Sequence, residues 1–255
     1  MTILAVDIGN TNIHLGIVEN RQILERVTFA TDDVDWLVKK ASPLLDELAD
    51  PVNTPVVICS VVPNLTAKVA RRAEATVESD VLVIGEDIPL PLKLDLRNPD
   101  TVGADRVVAA AMAFERMGGP VIVADFGSAI TIDCVSNDGI FLGGAILPGL
   151  NLSASALANQ TAALPLVELA VPETPWGRDT AEAISAGIIF GALGALREIT
   201  ERYAEQLGQW PEVIATGGDA PLIAKHCDFI HAVVPDLVLM GIELAYDVCQ
   251  TSPSQ

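Results

Sequence analysis

The sequence predicts an α/β protein built by duplication, with two related domains that each carry a mixed sheet. Three observations lead there. The stretch Val6-Asp7-Ile8-Gly9-Asn10-Thr11-Asn12 lies between two apolar runs, residues 3–5 and 13–18, and reads as strand, tight turn, strand. The same form returns at residues 121–131, where Asp125 (125 − 7 = 118 residues on) matches Asp7, Gly127 matches Gly9 and Ser128 matches Asn10. After each turn come a second strand, a polar turn and a third apolar strand, and in the first copy strands and helices then alternate. The duplication divides the chain into residues 1–119 and 120–255.

Residues 2–30 are expected to form a three-strand meander. Thr31-Asp32-Asp33 opens a helix that Pro43 interrupts, with a second piece to about residue 48. The continuous apolar run 55–62 reads as a buried parallel strand, followed by a helix from Pro63 to about residue 76 and a strand at 81–84. Residues 89–99 are irregular, and Asp100-Thr101-Val102-Gly103 leads into a helix over 104–117 that Gly118-Gly119-Pro120 stops. The second meander starts at Val121, and the glycine-rich residues 143–149 are expected to turn into a helix over 150–158. Residues 162–175 read as a surface loop, and Asp179-Thr180-Ala181-Glu182 is a capping box for a helix to about 207. Gly187, Gly191 and Gly194 are costly inside a helix and suit close contact with another helix, which points to a subunit interface. A strand at 211–215, a Thr216-Gly217-Gly218-Asp219 turn with a short helix, a strand at 229–233 and a closing helix over 235–248 complete the order.

Half of the 255 residues are hydrophobic, enough for a sizeable core. The net charge of −19 should repel nucleic-acid backbones and anionic membranes. The four cysteines have no metal-ligand spacing, and Cys59 and Cys134 lie in strand-like runs as buried thiols. Residues 183–196, the most apolar run, are too few to span a bilayer, and no signal-like segment leads the sequence. The expectation is a reduced, cytoplasmic protein without nucleic-acid or membrane partners.

Four glycine-bearing turns are expected after strands, at Gly9, Gly127, Gly143-Gly144 and Gly217-Gly218, where α/β folds bind ligands. No GxxxxGK[ST] loop, strand-linked GxGxxG or GxSxG elbow is present, and the three histidines form no triad or metal set. An acid beside a Gly/Asn/Thr turn, as at Asp7, suits the phosphate tail of a Mg2+-nucleotide; alone, the same residues would make a polar hairpin turn.

Taken together, these segments resemble the acetate kinase/sugar kinase/Hsp70/actin superfamily and, more narrowly, type III pantothenate kinase over nearly the whole length. The residues that carry the resemblance are Asp7-Ile8-Gly9-Asn10-Thr11, Asn98-Pro99, Val102-Gly103-Ala104-Asp105-Arg106, and Asp125 to Thr131. Gly143 to Gly149, Thr180 and Thr216-Gly217-Gly218 continue it in the family's order. The resemblance implies duplicated actin-like (ribonuclease H-like) domains with the active-site cleft between them. It implies phosphorylation of pantothenate by ATP, the first step of coenzyme A biosynthesis, in a homodimer that needs Mg2+ and a monovalent cation (K+ or NH4+). Asp7, Ile8, Gly9, Asn10, Thr11, Asn12, Ile13 and His14 would hold the ATP phosphates, and Ser128 would contact ATP. Gly103, Ala104, Asp105, Arg106 and Thr180 would bind pantothenate, Asp105 as proton acceptor and Thr180 in the partner's site; Asp125 would ligate the monovalent cation. Leu96 stands where a tyrosine is usual, Ser128 where a threonine is, and Asp179 where an asparagine is. Two other readings remain open: a regulatory relative of the transcription-accessory type, and a kinase for another small alcohol.

Overall fold

The computed structural model describes residues 1–31, 44, 48, 50, 52–75 and 77–251. The helix expected from Thr31, with its break at Pro43, falls outside the described residues except at isolated positions. The chain divides into two compact units, Met1–Arg116 joined by the segment from Asp236 onward, and Met117–Pro235. The sequence division at 119/120 had left the closing helix with the second half.

In the first unit, β1 (Thr2–Ile8), β2 (Asn12–Glu19) and β3 (Gln22–Ala30) form the expected meander. β4 (Val56–Ser60) and β5 (Val81–Val83) add in parallel, giving the order β3-β2-β1-β4-β5. Helix α1 (Pro63–Glu74) starts with proline at its first turn, where no backbone N–H is needed. A two-residue strand, β6 (Lys93–Leu94), and a 3-10 turn at Pro99–Thr101 lead to α2 (Ala104–Met117), placed as expected. β1 is apolar on both faces because both are covered. Leu4, Val6 and Ile8 join Ile13, Leu15 and Ile58 in one cluster, while Ile3 and Ala5 join Val57, Val108, Leu239 and Ile242 in another. Leu239 and Ile242 belong to the closing helix, here named by its range Leu237–Thr251, and this apolar face is what ties it to the first sheet.

That helix is also held by charge. Asn20 and Arg21 take left-handed conformations (φ 51° and 61°) in the two-residue turn between β2 and β3. Their backbone N–H groups donate to the two carboxylate oxygens of Glu243, each at 2.7 Å. The Arg21 guanidinium lies 3.1 Å from the same carboxylate and 2.7 Å from Asp247. Glu243 is fully buried, so its charge depends on these partners.

In the second unit, β7 (Val121–Phe126), β8 (Ala129–Val135) and β9 (Ile140–Pro148) repeat the meander, and α3 (Leu150–Gln160) and α4 (Thr180–Leu207) follow. β10 (Glu212–Thr216), α5 (Ala220–Ala224) and β11 (Ala232–Val233) complete the unit; the closing helix Leu237–Thr251 is α6. The strands run β9-β8-β7-β10-β11, the same order and the same parallel and antiparallel pairings as in the first sheet. One expectation fails here. Gly143-Gly144 is not a turn but the middle of β9, because Gly143 (φ 101°) takes up a bulge opposite Cys134 and Val135 and lets the strand continue. Asp179 caps α4 by accepting from the Glu182 N–H at 2.8 Å, and Gly208 ends it at φ 71°. At 28 residues α4 is long and apolar enough to cross a bilayer by length and composition, unlike the shorter run read from sequence; core helices pass the same test, and Ile189 and Leu196 pack it on the second sheet.

Removing the carboxylate in Glu243→Ala should leave the two turn N–H groups without their acceptor, while Arg21 keeps Asp247, and lower the free energy of unfolding by about 2 kcal/mol. Urea unfolding of parent and variant measures this; a loss below about 0.5 kcal/mol would show that the clamp contributes nothing beyond a surface ion pair.

Candidate active site

The first unit gathers its polar groups at one end of the sheet. The register places Thr28, His14, Asp7 and Cys59 side by side across β3, β2, β1 and β4, hence on one face. The turn after Asp7 closes through Gly9 N–H to the Asn12 carbonyl at 3.0 Å. Thr31 pins it, its N–H donating to the Thr11 carbonyl (3.0 Å) and its hydroxyl to the Gly9 carbonyl (3.1 Å). Asn10, Thr11 and Asn12 are exposed, and the Asn10 and Asn12 side chains bring amide donors to the turn. Ile8 and Ile13, by contrast, are wholly buried core side chains and offer only backbone. His14 Nδ1 lies 2.9 Å from the Thr28 hydroxyl. Burial lowers the His14 pKa, against the raising effect of Asp236, so the ring is held toward its neutral form.

Asp105 sits in the first turn of α2, where an acid meets the positive end of the helix dipole. Its Oδ1 accepts from the Arg106 N–H at 2.8 Å. Burial raises its pKa above the ordinary carboxylate value, and the Arg106 hydrogen bond and charge oppose without reversing the shift. Gly103 makes room for this carboxylate: a Cβ there would stand 2.5 Å from Asp105 Oδ1 and 3.3 Å from Val61 Cγ1. Val61 is itself fixed to the end of β1 by its N–H to the Ile8 carbonyl (3.1 Å). Ala104 packs against the core and Arg106 is half-buried beside Asp105.

In the second unit the equivalent strand end carries Asp125. Its carboxylate lies against two glycines: a Cβ at Gly127 would be 3.4 Å from Asp125 Oδ1, and one at Gly217 (φ 91°) would collide with it. The Ser128 and Gly127 carbonyls leave no room for a side chain at Gly149. Asp219, in the turn after β10, has its pKa raised by burial. Thr180 is exposed at the first position of α4, on a groove of about 1110 Å3 lined mainly by apolar side chains of α3 and α4, among them Leu150, Leu157, Ala183 and Ile188. Gly187 and Gly191 line the same groove, and a Cβ at either, or at Gly194, would meet nothing within 4 Å.

The residues gathered here suit a metal that arrives with a nucleotide. No group of three or more His, Cys, Asp or Glu side chains forms a metal cage among the described residues. A hard divalent cation held by one carboxylate and by substrate phosphates needs only an acid such as Asp7 beside the turn. The sequence reading gave no role to Cys59, which the register sets beside Asp7, and none to the Gly149 and Gly217 contacts that shape the Asp125 turn. The Leu-Pro-Gly and Thr-Gly-Gly strings were the visible signs of those two glycines.

Five strands of one order in each unit, each set opening on an Asp-x-Gly turn, define the actin-like class of phosphotransferase folds. Solved structures agree on the fold. A Baf-family transcriptional activator from Campylobacter jejuni superposes with TM-score 0.61 at 21% identity, over 96% of this chain and 98% of that one. A 2-dehydro-3-deoxygalactonokinase protein from Sinorhizobium meliloti gives 0.59 at 14% identity, over 98% and 100%. The chain belongs to the type III pantothenate kinase family, whose sequence pattern matches residues 3–202. A type III pantothenate kinase from Dehalococcoides mccartyi is 38% identical over 253 residues, 97% of this chain and 98% of the relative.

Gly103→Ala should leave the fold intact, since the added methyl meets a side-chain end rather than backbone, but should displace the Asp105 carboxylate. A misplacement near 1 Å costs roughly 10²-fold in turnover. Steady-state kinetics beside a thermal melt tests this; parental kcat in the variant would show that the Asp105 position is not critical.

Proposed function

We propose that this protein transfers the γ-phosphoryl group of ATP to the primary hydroxyl of pantothenate, the entry step of coenzyme A biosynthesis in the cytoplasm. The observation that carries the reading is Asp105, a carboxylate made more basic by burial and paired with Arg106 at a helix start, in a chain of this family. Phosphoryl transfer asks the protein chiefly to position an acceptor hydroxyl and to stabilise charge. Asp105 orients the hydroxyl and takes its proton, and a raised pKa suits a general base. Arg106 holds the pantothenate carboxylate through a two-pronged charged hydrogen bond. Neighbouring helix positions point about 100° apart, so the two side chains reach different parts of one substrate.

On this reading Asp7 and the turn to His14 hold the ATP phosphates, with backbone alone acting at Ile8 and Ile13, and Ser128 contacts the nucleotide. Mg2+ would be held with the phosphates near Asp7 and would neutralise their charge. Asp125, backed by glycine turns, would ligate K+ or NH4+. The open groove along Gly187 and Gly191 is assigned to a second copy of this chain, which brings Thr180 into the partner's pantothenate site. The regulatory alternative is less well supported: the likeness to a transcriptional activator is at 21% identity and carries the fold alone.

The test is ATP consumption with and without pantothenate in K+ buffer, with the product identified by mass spectrometry. Phosphopantothenate is expected; ATP turnover indifferent to pantothenate would overturn the assignment. Arg106→Ala should act mainly by raising KM for pantothenate, by about 10-fold or more. Full turnover in Na+ buffer would remove Asp125 from its role, and a fully active monomer in sedimentation would remove Thr180 from the partner's site.

A further inference from the structure

One buried side chain lies beside Asp7, feels the charges of both Asp7 and Asp105, and takes no part in the chemistry so far described. Cys59 on β4 is the register partner of Asp7 and is wholly shielded from solvent. It belongs to the same packed cluster as Val108 of α2 and Leu239 and Ile242 of α6. Val108 lies three residues after Asp105, one turn along the same side of the helix. The thiol therefore sits beside the C-terminal end of β1, in the cluster that α2 enters through Val108. Its electrostatics agree: after burial itself, the charges of Asp7 and Asp105 are what push its pKa well above the ordinary thiol value, so it stays a neutral SH.

We propose that Cys59 is a positioning residue whose small, uncharged side chain spaces the start of α2 from β1 and so sets the separation of the Asp105 and Asp7 carboxylates. The proposal rests on the reading of Asp105 as the base. The physics is that of a close-packed interior, where one methylene more or less is felt by the neighbours. The strand side of this contact is braced. Val61 N–H bonds the Ile8 carbonyl, the Ser60 hydroxyl accepts from Val62 N–H at 3.1 Å, and the Thr66 hydroxyl donates to it at 2.7 Å. A change of volume at Cys59 is then taken up on the helix side, by α6 and by α2, and α2 carries Asp105. Thiol reactivity has no part in this, since the sulfur is both inaccessible and protonated.

The test is a volume series: Cys59→Ser, Cys59→Ala and Cys59→Val, each with kinetics, a thermal melt and a crystal structure. Serine, nearly the same size, should keep kcat within about threefold. Alanine and valine should lower kcat by about 10-fold or more while KM for ATP stays within about twofold. In their crystals the Asp105 carboxylate should shift by about 0.5 Å or more relative to Asp7. A residue that merely stabilises the core would lower the melting temperature of Cys59→Val yet leave that carboxylate and the turnover of folded enzyme unchanged, which would overturn the proposal. A serine variant that loses activity as severely as alanine would overturn it too, by making the sulfur matter. If the parent enzyme does not phosphorylate pantothenate, the functional reading fails, and the carboxylate displacement in the crystals decides the spacing claim without it.

Discussion

The first unit sets a half-buried carboxylate, Asp105, at the start of α2. Asp105 would be more comfortable exposed, and burial raises its pKa in spite of the hydrogen bond and charge of Arg106. The rest of the local structure makes that burial possible. Gly103 has no side chain because the carboxylate takes the space, and Val61 backs the turn from the end of β4. The two-residue turn before β3 is clamped to Glu243 of α6, and α6 in turn packs against the sheet beside α2. A group whose folded pKa is raised binds its proton more tightly in the folded state. Its stabilising contribution is present below the ordinary aspartate value and is lost as pH rises through the folded value. Stability should therefore be lower above the folded value than below the ordinary aspartate value, a cost that fits the proposed use of Asp105 as a base.

The second unit repeats the plan with different surroundings. Its five strands have the order of the first sheet, and Asp125 occupies the strand end that Asp7 occupies in its counterpart. The surroundings differ. Asp7 looks along a row of His14, Thr28 and Cys59, whereas Asp125 is enclosed by the glycine turns at Gly127 and Gly217. Register sets Thr131 and Thr216 beside Asp125, as it sets His14 and Cys59 beside Asp7, so the two acids differ chiefly in the glycines that close in on Asp125.

Much of this was legible in the residues because it depends on local rules. Apolar runs separated by polar turns placed both meanders, the capping box placed the start of α4, and the glycines after Met117 placed the end of α2. The Asp-x-Gly repeat announced the duplication before the matching strand orders could be compared. What escaped depends on contacts distant in sequence. Gly143-Gly144 looks like a turn until its bulge partners on β8 are known. The closing helix reads as part of the second half until Leu239 and Ile242 are seen packed against β1. Cys59 is one apolar residue in a buried strand by any sequence pattern, and only register brings it beside Asp7.

The central claim, that Asp105 is held buried against stability because it acts as the base, is tested most directly by Asp105→Asn, melted at pH 7.5 and assayed with ATP and pantothenate. Asparagine keeps the acceptor for the Arg106 N–H and removes the buried charge. The account predicts that the variant melts at a higher temperature than the parent, that this gain shrinks as pH falls toward the ordinary aspartate range, and that kcat drops by about 10²- to 10⁴-fold while ATP still binds. A variant that melts lower and turns over within a few-fold of the parent would contradict it, and would leave Asp105 as a favourable acid at a helix start.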